Sequence, residues 1–321
     1  MARLLARRAA LAYVLGSRAQ RARTPGAGRG QELMTTTTKT RHFALAALLA
    51  TSLIAQQTPS DLEALCRRVG AAHRPSGPTP AVAALRCVLE LQLTDVREKN
   101  GGQVDLDVQF LQQPRPAPKR ARSYIRYEVR GGEQPIRRGF DRVGPWHIKQ
   151  GKPADLTAAG AEQDLASLRE HINLASQLLR FLSPEQVLAS LQDPGEVKDD
   201  LLRLGRKQVP VLSVSGKLKS FPMVQGTGEG SAAYVKIYVD KRSSELLGVD
   251  AWPLDEAGEP DRRQGERILL SDLRERDGLL VPRTLRYLFR DRAGKLRSRS
   301  TVKIISLELR PPLTVRDFDR S

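Results

Sequence analysis

Aromatic side chains make up only 5% of the 321 residues, and the chain has just two cysteines and four histidines. Each shortage excludes something. A surface that reads nucleic acid stacks bases on aromatic platforms set among its cations, and beside the main basic run only Tyr124 and Tyr127 could serve. Nucleic acid is therefore not an expected partner. His42 lies in the leader, and His73, His147 and His171 stand far apart with no carboxylate or cysteine at ligand spacing, so no metal is implied. No G-x-S-x-G elbow or other nucleophile context occurs. With no nucleophile, base or metal set to assemble, a non-catalytic protein without a cofactor is expected. Long apolar runs are missing too. The longest, Phe43 to Ala55, is thirteen residues, too short to span a bilayer comfortably.

That run has the length of the apolar core of an export signal. Lys39, Arg41 and His42 precede it as a basic region, and Gln56, Gln57, Thr58 and Pro59 follow at once. Cleavage is expected near Ala55, giving a periplasmic or secreted protein. Met34 opens a complete signal over residues 34–55, so residues 1–33 read as translated upstream sequence or a disordered extension; an Arg-rich transit peptide is the rival. Nine basic side chains and one acid fall in residues 1–55, so about half of the formal charge of +17 belongs to this leader. In an oxidising compartment Cys66 and Cys87 could close a loop of about twenty residues, a bond worth about 3 kcal/mol. Both also lie among apolar neighbours, as buried thiols do.

The rest, residues 56–321, reads as one domain. Ser60-Asp61-Leu62-Glu63 has capping-box spacing, and Leu62, Leu65, Cys66 and Val69 recur at helical intervals to about Ala72. Strands follow. Leu89, Leu91 and Leu93, then Val104, Leu106, Val108 and Phe110, then Ile125, Tyr127 and Val129 alternate with polar residues, and glycine pairs punctuate the runs. One apolar and one wet face mean antiparallel architecture. A helical insert is expected over about 157–205. Leu165, Leu168, Ile172, Ala175, Leu179 and Leu182 form one side of an amphipathic helix, Ser183-Pro184-Glu185-Gln186 caps a second, and Glu196 to Leu204 suggests a third. Strands return at Val235 to Val239, Leu247 to Ala251, Arg267 to Arg274, Leu279 to Arg290 and Thr301 to Leu309. Crossover helices between strands are missing, which excludes a parallel sheet.

Three features invite chemistry and have plainer readings. Gly226 to Ser231 lacks the lysine of a phosphate loop and precedes a strand, so it reads as a hairpin. Asp105 and Asp107 share the wet face of one strand, where carboxylates are solvated. The basic run Arg115, Lys119, Arg120, Arg122, Arg126, Arg130, Arg137, Arg138 and Arg142 suits an anionic membrane surface, or simply a solvated sheet face.

This order of elements is similar to that of the LolA/LolB-type lipoprotein-localisation superfamily. Phe140 to Ile148 (FDRVGPWHI) looks like that family's exposed turn and Trp-bearing strand before its helices. Leu270 to Pro282 (LSDLRERDGLLVP) is similar to a hairpin of its outer-membrane sorting branch, and Val315 to Phe318 resembles its closing Phe segment. The likeness covers Ser60 to Ser321. It implies an α+β, mainly β fold: an incomplete antiparallel β-barrel, or half-barrel, covered by a few α-helices. It also implies an apolar cavity that shelters the acyl chains of lipid or lipoprotein in a monomeric carrier, with Phe110, Trp146, Ile148, Leu179 and Phe181 as lining candidates. An envelope sensor or structural module that binds a partner protein on the same scaffold is the alternative.

Overall fold

The computed structural model describes residues 58–95, 101–113, 122–130, 136–149, 151–156, 161–224, 231–290, 293 and 295–319. The expected leader and extension, most of the Gly226 to Ser231 segment, and Arg115, Lys119 and Arg120 lie outside them. Helix α1 (Thr58–His73) leads into strands β1 (Ala84–Asp95), β2 (Gly101–Gln113), β3 (Arg122–Arg130), β4 (Ile136–Phe140), β5 (Pro145–Lys149) and β6 (Lys152–Pro153). Helices α2 (Glu162–Phe181) and α3 (Pro184–Ala189) come next. The chain then runs through β7 (Lys198–Leu204), β8 (Lys207–Leu218), β9 (Ala233–Asp240), β10 (Leu246–Pro253), β11 (Gly265–Arg276), β12 (Leu279–Arg290) and β13 (Leu296–Leu309) to a 3-10 turn, Val315–Phe318. Among the described residues, no helix is long and apolar enough to cross a membrane.

The thirteen strands among the described residues form one sheet, in the order β6-β5-β4-β3-β2-β1-β13-β12-β11-β10-β9-β8-β7. Every neighbouring pair is antiparallel. The first and last long strands pair in the middle, and the edges β6 and β7 stay unpaired, so the sheet is not closed. The alternation implies the antiparallel pairing, and the open, mainly β α+β fold is the one expected from the order of elements and its resemblance. The order also places the helices. The chain leaves one edge at β6 and resumes at the other at β7, so the segment between them must cross the sheet, and α2 and α3 fill its concave face.

That face is dry. Leu106, Val108 and Phe110 of β2, Val235 and Ile237 of β9, and Leu285 and Tyr287 of β12 join one hydrophobic cluster with Leu168, Ile172 and Leu178 of α2 and Leu65 and Val69 of α1. Burying a side chain of this size contributes about 1.5–3 kcal/mol, and the cluster spans both halves of the sheet. A smaller cluster of Leu202, Val211, Tyr238 and Leu269 lies apart. A methyl added to Gly248 on β10 would touch Leu202 on β7, three strands away, so this wing of the sheet coils tightly.

Three local expectations are corrected. Glu196 to Leu204 is not a helix: Lys198–Leu204 is the edge strand β7, paired residue for residue with β8, so the helical insert ends at Ala189. Leu202 and Leu204 pack with Val209 and Val211 across a turn through Gly205, whose φ of +65° suits glycine. Helix α1 begins at Thr58, ahead of Ser60, so the S-x-x-E spacing lies inside the helix. Ser183 makes no side-chain cap, because Arg74 takes its hydroxyl as acceptor at 3.2 Å; Pro184 still opens α3 as expected.

Candidate functional site

Helix α2 meets the sheet along an apolar seam. Cys87 and Leu89 of β1, Val108 of β2, Leu285 of β12, and Val302 and Ile304 of β13 form its floor, all from the centre of the sheet. His171, Leu174, Ala175 and Leu178 form its roof, one stripe of α2 at three-four spacing. The space left between them is a cavity of about 10 Å³ to the centre of a water-sized sphere, room for roughly one water molecule. The seam is shut.

None of the five residues expected to line a cavity borders it. Phe110 and Phe181 are wholly buried packing residues, and Leu179 is buried on α2. Ile148 is half-buried on β5. Trp146 packs its ring on Gly139 of β4, and its indole N–H donates to the carbonyl of Phe318 at 3.2 Å, which fastens the closing turn to the sheet. Phe318 in turn packs its ring at a tilt against Tyr124, centroids 5.9 Å apart. Cys66 and Cys87 are both free thiols. Cys66 faces the Glu185 side of α1 and Cys87 faces α2, so they serve different contacts, and burial pushes both thiols above their ordinary range.

Two polar clamps hold α2, and sequence reasoning missed both. At its first turn, Asp164 accepts from Arg138 of β4 at 2.5 Å and from His147 of β5 at 3.0 Å, and Arg138 also donates to Ser167 at 3.1 Å. Further along, every residue from Ile172 to Leu179 is buried. One side lies on the sheet and the other under the segment Phe221–Val224, which straps across the helix. Asn173 donates to the carbonyl of Met223 at 2.7 Å. The Gln177 amide donates to Pro222 and to Glu266 of β11 at 2.5 and 2.6 Å, and its oxygen accepts from Tyr287 at 2.8 Å. Val224 N–H donates to the other Glu266 oxygen at 2.9 Å. The polar positions Asn173, Ser176 and Gln177 read as the wet side of an amphipathic helix. The strap covers them instead, and the buried amide groups of Asn173 and Gln177 donate to its carbonyls.

Ionisation along α2 is set by desolvation. His171 stacks on Tyr127, ring centroids 4.3 Å apart, and its Nδ1–H donates to the Ser167 carbonyl. Burial, with Arg138 nearby, lowers its pKa to about 4, so the ring is neutral at pH 7. Next to it, burial pushes the Glu170 carboxyl up to about 8. Elsewhere the basic run is largely paired: Arg130 with Asp107, Arg137 with Glu128, Arg138 with Asp164, and Arg142 with Asp319. Arg122 donates to the carbonyls of Asp141 and Arg142. Among the described residues, no three His, Cys, Asp or Glu side chains gather as a metal site would need.

No family model matches the chain, and no curated protein matches it. Solved structures do. A LolA superfamily protein from Nitrosomonas europaea is 10% identical, with 81% of this chain and 97% of that one covered at a TM-score of 0.39. An outer membrane lipoprotein-sorting protein domain from Vibrio parahaemolyticus is 11% identical, with 80% and 95% covered at 0.40. A DUF1329 family protein from Desulfovibrio piger is 12% identical, with 81% and 96% covered at 0.41.

Proposed function

We propose that the chain is a non-catalytic carrier or binder of acyl chains, from lipid or lipoprotein, in the periplasm or at the cell envelope. The observation that carries this reading is the seam under α2, which is apolar on floor and roof and runs along the centre of an unclosed sheet. An acyl chain gains about 0.8 kcal/mol per methylene moved from water into such surroundings. Because the seam holds roughly one water molecule, the helix must shift with its strap to admit a chain. The clamps at Asp164 and Gln177 are the contacts that must yield or travel with it. The export signal expected over residues 34–55 supports the compartment.

The filled interior favours a second reading, an envelope sensor or structural module that binds a partner protein on its surface. Native mass spectrometry of the chain purified from its own envelope separates the two. Co-purifying acyl lipid supports the carrier. A lipid-free chain with a stoichiometric protein partner supports the module and overturns the first reading.

A further inference from the structure

The basic run of β3 to β5 is largely paired, whereas two arginines on the outer face of β12 and β13 are not. Alternation there turns Ser298, Ser300 and Val302 inward and Arg297, Arg299, Thr301 and Lys303 outward. Arg286 and Arg290 leave β12 on the same side, and both are exposed. The face carries these five cations and Arg267. Among the described residues, Asp250 is held by Arg267, Glu90 by Lys303 at 2.7 Å and Glu308 lies 3.5 Å from Arg86, while Arg290 and Arg297 have contacts of their own.

Arg286 and Arg299 have no partner among the described residues. Arg286 lies opposite Thr301 and Arg299 opposite Leu288, so the two arginines are diagonal neighbours, about 7–8 Å apart at the backbone. Like charges set so close repel, and among the described residues no acid pairs with either. Their stems lie beside apolar side chains, since Arg286 is also directly cross-strand from Leu269. Leu269 and Leu288 pack with Leu202, Val211 and Tyr238 on this side, and an arginine beside such a patch can keep its guanidinium in water. Further along β13 the bulge residue Ile305 stands 51% exposed.

We propose that this outer face, centred on Arg286 and Arg299, docks on an anionic lipid bilayer. The guanidinium fork matches phosphate oxygens in pairs. The face consists of strand interiors, with no free edge that would add a protein strand. A charged lattice of headgroups asks only for charge density, and an exposed isoleucine at its border can enter the interfacial layer. The face lies on the opposite side of the sheet from α2, so this inference stands apart from the acyl-chain reading.

The test is co-sedimentation of the full chain with phosphatidylcholine vesicles, with and without about 30 mol % phosphatidylglycerol. Binding is expected to need the anionic lipid and to fall away in about 0.5 M salt, where screening is nearly complete. The double substitution R286E/R299E lowers partitioning about tenfold or more. R262E/R263E, the same change in net charge on an exposed loop, lowers it only about twofold. R286Q/R299Q gives an intermediate loss and guards against misfolding of the reversal, which circular dichroism monitors. Equal losses for both reversals, or equal binding with and without phosphatidylglycerol, overturn the proposal. So does retention on immobilised polyaspartate with no vesicle binding, which points to an acidic protein. Acyl lipid found by mass spectrometry in R286E/R299E leaves the carrier reading intact whichever way this test falls.

Discussion

Gln177 of α2 donates its amide to the buried carboxylate of Glu266 on β11 at 2.6 Å while its oxygen accepts from Tyr287. One side chain thus joins helix, sheet and strap. Replacing it by Leu keeps the volume and removes every polar contact, so Tyr287 and Glu266 each lose a partner in the dry interior. Leaving such groups short costs about 1–3 kcal/mol each. Gln177→Leu is expected to lower the urea midpoint clearly, and Gln177→Glu to do the same by setting two carboxylates together. An unchanged midpoint for both shows that the clamp carries no stability.

The buried histidines set the response to acid. His73 is wholly buried, and its Nε2 accepts from the Leu246 N–H at 3.0 Å, which only the neutral ring can do. Burial lowers His73 and His171 from 6.5 to about 4. Between those values the unfolded chain binds more protons than the fold, so stability falls as pH drops from 6.5 through 4, by at most about 3 kcal/mol for His73. Glu170 works the other way. Its carboxyl is raised from 4.5 to about 8, so the fold binds the extra proton and stability falls as pH rises through that window. Two histidines outweigh one glutamate below 6.5, and only the glutamate acts above it. From these three groups, stability is expected to peak near pH 6.5. Denaturant midpoints across pH 4 to 9 measure the curve. Glu170→Gln should flatten its alkaline side, and His73→Gln, whose side-chain oxygen can replace Nε2, should soften its acid side. A wild-type curve still climbing at pH 8 contradicts the assignment of Glu170.

These contacts mark the boundary of what was legible in the chain. Alternation in Val104 to Phe110 and Ile125 to Val129 placed the strands, because a half-buried strand writes its two faces in adjacent residues. The three-four spacing from Leu165 to Leu182 placed α2 for the same reason. Lys198 to Leu204 failed because Leu201, Leu202 and Leu204 fit either period. The partner that decides, Val209 and Val211 of β8, lies beyond the turn at Gly205. A hairpin reading of that glycine was the available signal. The polar side of α2 misled for a different reason. Asn173 and Gln177 look solvated in any helical projection, and only the strap and Glu266, 89 residues further along from Gln177, reveal that they are buried. The five lining candidates do not border this gap, and large apolar residues such as Phe110 and Phe181 fill space. The gap is bordered by Cys87, Ala175 and Val302 together with Leu89, Leu174 and Leu285, a mixture that alternation and helical spacing do not single out.

Gly139 is where β4 admits Trp146. A methyl added there would drive into the indole ring and the Ile125 carbonyl. The carbonyl belongs to the paired strand β3 and cannot step aside without breaking the ladder. Gly139→Ala is expected to destabilise by about 1–3 kcal/mol, as overpacking does. It should also alter the near-ultraviolet circular dichroism, where Trp146 is one of only two tryptophans. A native spectrum and an unshifted melting temperature argue against this packing.

Ala175 gives the sharpest test of the seam. It is 4% exposed and borders the cavity of about 10 Å³, so a phenyl ring there has nowhere to go while α2 is seated. Ala175→Phe is expected to cost about 1–3 kcal/mol by strain and, if acyl chains enter under α2, to block them. Stability loss alone could also reduce bound lipid, so a control of equal cost is needed. Phe110→Leu supplies it, since Phe110 is buried in the same cluster but does not border the cavity. Lipid retained by Phe110→Leu and lost by Ala175→Phe places the ligand in the seam. Equal lipid content in both variants removes the seam as the binding site.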